Sequence, residues 1–481
     1  MTATVLQNHI GGSLRQGSGD PSITDHNPSD RDDVIGHVPV GTPDDARQAV
    51  DAAQAALADW RALPGPARAE HLYRWAALIE QEREALAQAV AREVGKPIGE
   101  SRGEVGRCAV ILRYYAGEAV RAVGEVVPAQ AAGALQFTLR DPLGVCGLIT
   151  PWNFPVAIPL WKAAPALAFG NTVVLKPAEQ ASHVAVLLAE SAVKAGLPVG
   201  VFNVVLGGGP TVGSALLDAD EVRAVSFTGS TAVGAQVAAT CAARNIRFQT
   251  EMGGKNVAIV LADGNLDLAA RLTAAGAMRY AGQKCTATSR VIVEAGAFEP
   301  FMQRLRQEVE KLPLGPVTDA ASAVGPLITA QARDRVRAAV AAMEGRVVLG
   351  GDAPADASLA RGNFLKPAVV TDVAPDSAMA QDELFGPVLA AFAVSDLDEA
   401  IKLANHTRYG LSASLFTRNL GAALEYIRRI EVGLVRVNGD TTGVDPHAPF
   451  GGVKASSSGS REQGSAAREF YTEIRTVQVA G

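Results

Sequence analysis

Nothing in the 481 residues approaches the run of roughly 18 to 20 apolar side chains that a membrane helix needs. Cysteine is scarce: Cys108, Cys146, Cys241 and Cys285 stand far apart. That is a poor disulfide framework for so large a chain, and it suits a reducing compartment. The seven histidines show no HxxxH or HExxH spacing and no CxxC occurs, so a zinc site has no support and no metal is expected. The stretch Met1 to Gly12 has no basic segment followed by an apolar one, so no secretory signal is read there and a cytoplasmic location is expected. Charge of one sign is not in excess. A formal net charge of −6 favours solubility and argues mildly against nucleic acid or an anionic membrane as partner.

What is present is an ordinary globular composition, with 48% hydrophobic and 20% charged residues, enough for a large core. The length predicts two or three domains. The 48 glycines and 26 prolines are dispersed, so no low-complexity linker is implied. Thr42-Pro43-Asp44-Asp45 reads as a helix start running to about Trp60, with a capping hydroxyl, a tolerated first-turn proline and acids that complement the dipole. Helical stretches follow over about Ala67 to Val94 and Ile98 to Ala122, and Gly124 to Pro142, with alternating Leu135, Phe137 and Leu139, reads as a hairpin or arm. From Gly144 short apolar runs alternate with helices: Val145 to Ile149, Thr172 to Leu175, Val201 to Leu206 and Val222 to Phe227. A second series runs through Val257 to Leu261, Val291 to Val293, Ala391 to Val394, Ser412 to Phe416 and Gly433 to Val437. Two α/β domains built on parallel sheets are expected.

Four segments can carry chemistry. Cys285 follows the polar Gly282-Gln283-Lys284; a lone cysteine is more often a small buried hydrophobe, but this setting permits a reactive thiol. Glu251 precedes Gly253-Gly254, whose tight turn can hold a carboxylate near a substrate, although such acids usually only serve the turn. In Pro151-Trp152-Asn153-Phe154-Pro155 two prolines restrict the backbone around Asn153. The result is an oriented amide of the kind an oxyanion hole uses, or simply a rigid loop capping a helix. Thr228-Gly229-Ser230 ends a strand and opens a helix that contains Gly234, a place where phosphate can approach free N–H groups. The spacing is GxxxxG rather than GxGxxG, so taken alone this signal is weak.

Taken together and in order, PWNFP at 151, VLKPAE at 174, FTGST at 227, EMGGK at 251, GQKC at 282, ELFGPV at 383 and PFGG at 449 resemble the NAD(P)-dependent aldehyde dehydrogenase superfamily. The resemblance covers nearly the whole chain from about residue 25, and Glu251 precedes Cys285 by 34 residues, as in that family. It implies an α/β fold of that type with three parts. These are a dinucleotide-binding domain (1–123 and 143–250), a catalytic domain (251–460) and a small β oligomerisation arm (124–142 and 461–481) serving a homodimer or homotetramer. It implies that Cys285 attacks a small-molecule aldehyde. The oxyanion would rest on the Asn153 amide and the Cys285 N–H, with Glu251 activating water to release the acid from a thioester. Lys176 and Glu179 would meet the adenosine ribose, and Trp152 and Ser230, with Thr228, Gly229 and Gly234, the pyrophosphate. Glu383 would hold the nicotinamide ribose, with Phe385 beside it. A carboxylate at Glu179 favours NAD, whereas Lys176 leaves NADP possible.

For the substrate, Arg279 stands six residues before Cys285, where succinate-semialdehyde dehydrogenases have a similar arginine that pairs with a distal carboxylate. The subgroup's other arginine is replaced by Trp161. The stretches Ala157 to Lys162, Gly282 to Arg290 and Asn438 to Gly452 look more like 2-oxoglutarate semialdehyde (2,5-dioxopentanoate) dehydrogenases. A carboxylated semialdehyde is therefore expected, with Arg279, Phe154, Trp161 and Phe450 at the substrate; succinate-semialdehyde or broad-specificity oxidation is the alternative. A CoA-acylating enzyme would need no water-activating Glu251. A catalytically silent structural or dinucleotide-binding protein would be free to lose Cys285, Glu251 or Asn153, and none is lost.

Overall fold

The computed structural model describes residues 4–20, 23–121 and 124–480. Five parallel strands form the middle of an eight-stranded sheet, in the spatial order Phe202–Val204, Thr172–Lys176, Val145–Ile149, Val222–Thr228 and Arg247–Glu251. Its edges are antiparallel. Asn8–Ile10 and Ser13–Arg15 lie on one side, and Ser457–Gly459, from far down the chain, on the other. Strands buried on both faces read as continuous apolar runs. Here Cys146, Leu148, Val173 and Leu175 enter one core cluster while Val145, Val174, Val225 and Phe227 enter another. The second sheet has seven strands: Arg346–Leu349, Ala368–Thr371, Val388–Val394, Thr288–Glu294, Asn256–Val260, Ser412–Phe416 and Leu434–Val437. Only the first of these is antiparallel to its neighbour. The expected parallel sheets are thus parallel at their centres and mixed at their edges.

Helix Pro43–Ala62 begins where Thr42-Pro43-Asp44-Asp45 predicts it. The reason is stronger than dipole complementarity. Asp45 is buried, and its carboxylate accepts Thr42 N–H (2.8 Å), the Thr42 hydroxyl (2.9 Å), Ser18 N–H (3.1 Å) and Asn8 Nδ2 (3.3 Å), tying three segments together. The stretch from Ala67 to Val94 is two helices, Gly65–Gln81 and Arg83–Val94, broken at Glu82 (φ −90°, ψ 8°) with no proline or glycine to announce it. The next helix is Ile98–Glu118; its expected end at Ala122, and the boundary at residue 123, lie outside the described residues.

The arm is a three-stranded antiparallel sheet in which Leu135–Pro142 is flanked by Val126–Val127 and by Thr472–Val479, the latter through eight paired residues. Of the segment 461–481 only this last strand belongs to the arm. Helix Gly464–Tyr471 packs Ala467, Phe470 and Tyr471 into the core on the first sheet.

Asp45→Ala removes the shared acceptor of the first helix cap. It is expected to destabilise the chain by about 1 to 2 kcal/mol, read as an earlier urea transition of the fluorescence signal, with no change expected from the exposed Asp44→Ala.

Candidate active site

In the first sheet the chain leaves Val145–Ile149 toward one edge, then returns to lay Val222–Thr228 on its other side. Such a reversal of strand order opens a crevice at the carboxyl ends of the strands. The loop 151–155 follows the first of these strands and Thr228-Gly229-Ser230 the second, so both rim that crevice. The amino ends of the second sheet face it: Cys285 precedes Thr288–Glu294, and Glu383 to Phe385 precede Val388–Val394.

Glu104 anchors the first loop. Its Oε1 accepts the N–H groups of Val156 and Ala157, both at 3.0 Å, and its Oε2 pairs with buried Lys96. The Lys96 ammonium lies 3.8 Å from the Phe154 ring centre and 4.6 Å from that of Tyr280. Asn153 is buried and donates from Nδ2 to the Gln283 carbonyl at 3.1 Å. One amide hydrogen remains, and Oδ1 has no partner.

The turn that presents Cys285 is unusual. Tyr280 (φ 55°), Ala281 (φ 51°) and Gly282 (φ 66°) are consecutively left-handed, which costs of the order of 1 to 2 kcal/mol for each non-glycine residue. Gln283 holds it. Its Nε2 donates to the carbonyls of Tyr280 (3.3 Å) and Pro326 (3.1 Å), and its Oε1 accepts Ile328 N–H (2.9 Å). At 282 only glycine fits, since a Cβ would fall 2.3 Å from the Gly386 carbonyl. Glu251 is buried at the end of its strand. Oε2 accepts the Ser457 hydroxyl (2.6 Å), while Oε1 has no partner. A Cβ on Gly451 (φ 148°) would come within 2.6 Å of that Oε1, so this glycine of the PFGG stretch makes the room that the carboxylate occupies.

Cys285 is half-buried and lines two cavities. The first, of about 570 Å³, also touches Trp152, Asn153, Thr228, Gly229, Ser230, Glu383 and Phe385. The second, of about 310 Å³, touches Phe154, Trp161, Lys284 and Thr286. The larger has the features of a dinucleotide site. Ser230 caps helix Thr231–Ala243, whose first N–H groups face an anion there. Thr228 Oγ1 is buried without a partner, Trp152 and Phe385 stand edge to face at 5.6 Å, and Glu383 is fixed by Gly254 N–H at 3.0 Å. These residues fit the cofactor.

The chain matches the model of the aldehyde dehydrogenase family over residues 15–477. It belongs to that family. An alpha-ketoglutaric semialdehyde dehydrogenase of Bacillus subtilis is 43% identical over 98% of this chain and 97% of its own. Succinate-semialdehyde dehydrogenase [NADP(+)] of Escherichia coli is 39% identical over 92% and 91%. The crystal structure of an NAD-dependent aldehyde dehydrogenase from Sinorhizobium meliloti superposes with a TM-score of 0.95 at 36% identity, covering 99% of this chain and 95% of that one. The chain is thus an NAD(P)-dependent oxidoreductase acting on aldehydes.

Within this dehydrogenase the sequence-expected residues divide. Trp152, Asn153, Thr228, Gly229, Ser230, Glu383, Phe385 and Cys285 converge on one cavity, and Phe154 and Trp161 join Cys285 on the other. Glu251 lies behind the first cavity and lines neither. Glu179 lines a separate cavity of about 410 Å³, and Lys176, 4.0 Å from it, gives two of its three N–H groups to the carbonyls of Pro177 and Gly207.

Three expectations need correcting. Gly234 faces inward rather than toward the cavity; a Cβ there would strike Met252 Sδ at 2.5 Å, so it serves close packing. Phe450 is buried behind Trp161, its ring centre 5.7 Å away, because its backbone pairs with Glu462 on both sides. Arg279 lines neither cavity that Cys285 touches, because the left-handed turn redirects the chain between them. Sequence reasoning overlooked Arg107 and two glycines of helix Ile98–Glu118, Gly99 and Gly103, which do line the smaller cavity. The signal was there as Glu100, Gly103, Glu104 and Arg107, one face at helical spacing.

Burial, then the carboxylates of Glu251 and Glu383, push the Cys285 thiol up to about 12, with only Thr286 N–H opposing. Burial and the neighbouring Glu462 likewise raise the Glu251 carboxyl well above its usual range, against Ser457, Lys162 and Arg461. Glu383 is raised by burial to about 7. A thiol nucleophile and a carboxylate base each act deprotonated, so rising pH would favour both groups in such roles. With the other three cysteines buried, iodoacetamide labelling of the cofactor-free enzyme should accelerate about tenfold per pH unit past the free-thiol value of roughly 8.5. A rate that levels off near neutrality would contradict this.

Proposed function

We propose that the enzyme oxidises a small aldehyde carrying a distal carboxylate, with 2-oxoglutarate semialdehyde as the first substrate to test, through covalent catalysis at Cys285. The observation that carries the reading is the position of this sulfur in the wall between two cavities, one fitted to a dinucleotide and one small enough for a short aldehyde. Similarity to an alpha-ketoglutaric semialdehyde dehydrogenase at 43% identity supports the substrate class. The 39% identity to the succinate-semialdehyde enzyme makes that aldehyde the second to test.

The Cys285 thiol first gives its proton to solvent, and the thiolate sulfur then attacks the carbonyl carbon from the smaller cavity, forming a C–S bond as the C=O π bond breaks. The oxygen becomes anionic and takes the remaining Asn153 amide hydrogen and the Cys285 N–H, donors already oriented before reaction. Bound NAD(P)+ would accept the hydride and bring a positive ring that opposes the upward shift of the thiol. A thioester then remains on Cys285. Glu251, freed toward the cavity through its unpartnered Oε1, removes a proton from water. The water oxygen attacks the acyl carbon, the C–S bond breaks, the acid leaves, and the departing thiolate takes the proton that Glu251 removed from water. A carboxyl with a raised pKa is the stronger base, suited to this step. Splitting oxidation from hydrolysis replaces one high barrier with two lower ones.

Trp152, Ser230 and the start of helix Thr231–Ala243 hold the cofactor phosphates, Glu383 the nicotinamide ribose, and Lys176 with Glu179 the adenosine ribose. Glu179 favours NAD over NADP, since a carboxylate beside a 2′-phosphate is repulsive. The first sheet serves the cofactor and the second the nucleophile. Exposed Val126, Leu135, Ile474 and Val479 on the arm support assembly into a dimer or tetramer. Among the described residues no helix is long and apolar enough to cross a membrane, which agrees with a cytoplasmic location.

A screen of acidic, aliphatic and aromatic aldehydes with both cofactors, following NAD(P)H at 340 nm, tests the substrate. A preference for neutral aromatic aldehydes would overturn it. Glu251→Gln should give a burst of about one NAD(P)H per active site and then turn over at least roughly a hundredfold more slowly, as expected when a general base is removed. Loss of the burst as well would place Glu251 in the first half-reaction instead.

A further inference from the structure

We propose that Arg107 is the residue that receives the distal carboxylate of the substrate, at the end of a track laid along one face of helix Ile98–Glu118. The inference rests on the reading of the substrate as a carboxylated aldehyde, and it names the group that selects it.

Three independent observations converge. First, Arg107 and Cys285 line the same cavity of about 310 Å³. That is near the lower end of ligand pockets, roughly 300 to 1,000 Å³, and suits a short substrate reaching from one to the other. Second, the charges around this cavity are accounted for with one exception. Lys284 is paired with Glu100 at 2.9 Å, and Glu104 is paired with Lys96 and takes two backbone N–H groups besides. Among the described residues Arg107 makes no ion pair and no side-chain hydrogen bond. Arg107 is an exposed residue that lines this cavity, so its guanidinium meets solvent there with its donors free of protein partners, and its planar fork matches a carboxylate.

Third, the helix face between the two ends is bare. Gly99 and Gly103 line the cavity, and a Cβ added to either would meet nothing within 4 Å. Gly99 is in the first turn, but Gly103 is in the helix interior, where glycine is destabilising relative to alanine, so its presence without a steric requirement from the protein calls for another explanation. A substrate lying against the helix supplies one. With Glu100, Gly103, Glu104 and Arg107 at i, i+3, i+4 and i+7, the face presents two neutralised acids, open backbone and then a free arginine.

The decisive measurement compares kcat/KM for a five-carbon aldehyde ending in a carboxylate with that for its methyl ester, in the wild-type enzyme and in Arg107→Ala, Arg107→Lys and Arg107→Glu. Arg107→Ala should lower kcat/KM for the acid roughly ten- to a hundredfold more than for the ester, the scale of losing a charged hydrogen-bonded partner. The loss should fall mainly in KM, with partial recovery in Arg107→Lys. Arg107→Glu should improve an aldehyde ending in trimethylammonium relative to the acid, a gain that misfolding cannot produce. Should wild type favour the acid and the variants keep that preference, the assignment of Arg107 is overturned while the substrate class survives. Should wild type itself fail to distinguish acid from ester, the substrate class and the arginine fall together.

Discussion

The amide of Asn153 reaches across the crevice to the carbonyl of Gln283, and this 3.1 Å hydrogen bond joins the loop leaving one sheet to the turn entering the other. The site needs both sides in register. In the proposed reaction the donor for the oxyanion comes from the first sheet and the nucleophile from the second, and neither sheet alone contains both. Much of the surrounding structure serves this junction. Gln283 uses its side chain to hold a costly left-handed turn and its backbone to hold Asn153. Glu104 and Lys96 brace the opposite loop from below.

The electrostatics of the junction are poised toward the resting state. The half-buried sulfur and the buried carboxyl both lie near acids, which with their desolvation favours the protonated forms. An unprotected thiolate would be exposed to oxidation and alkylation whenever the cavity stood empty. In the proposed reaction the positive ring of the bound cofactor would oppose the upward shift of the thiol, so nucleophilicity would follow occupancy. Gly451 has a part in this, because the space that its missing side chain leaves admits the Glu251 carboxylate.

The fold was largely legible because strands buried on both faces write themselves as apolar runs, and Ser412–Phe416 coincides with its sequence reading residue for residue. What escaped was long-range. That Ser457–Gly459 returns to the edge of the first sheet leaves no local trace, since an antiparallel edge of three residues has no period to detect. The break at Glu82 escaped for a related reason, because tertiary packing rather than a proline bends the chain. In the site, residues held by backbone motifs were readable from order and spacing: Asn153 between two prolines, Ser230 at a helix start, Cys285 after its glycine. Arg279 was misplaced because counting along the chain ignores a turn of positive φ, which reverses where the next side chains project. Phe450 and Gly234 were misplaced because apolar and small residues near a site pack against each other as readily as against a ligand.

The last stretch of chain runs from chemistry to assembly without a hinge. Ser457 holds Glu251, Glu462 gathers Trp161 and Lys162, helix Gly464–Tyr471 enters the core, and the next residue begins the arm strand. Arg247, at the start of the strand that ends in Glu251, also binds the carbonyls of Glu469 and Thr472. The outer ribbon is therefore continuous with the core rather than a detachable accessory. Any displacement of the outer ribbon has a path of a few residues to the Glu251 carboxylate, through Arg247 and the strand that it begins.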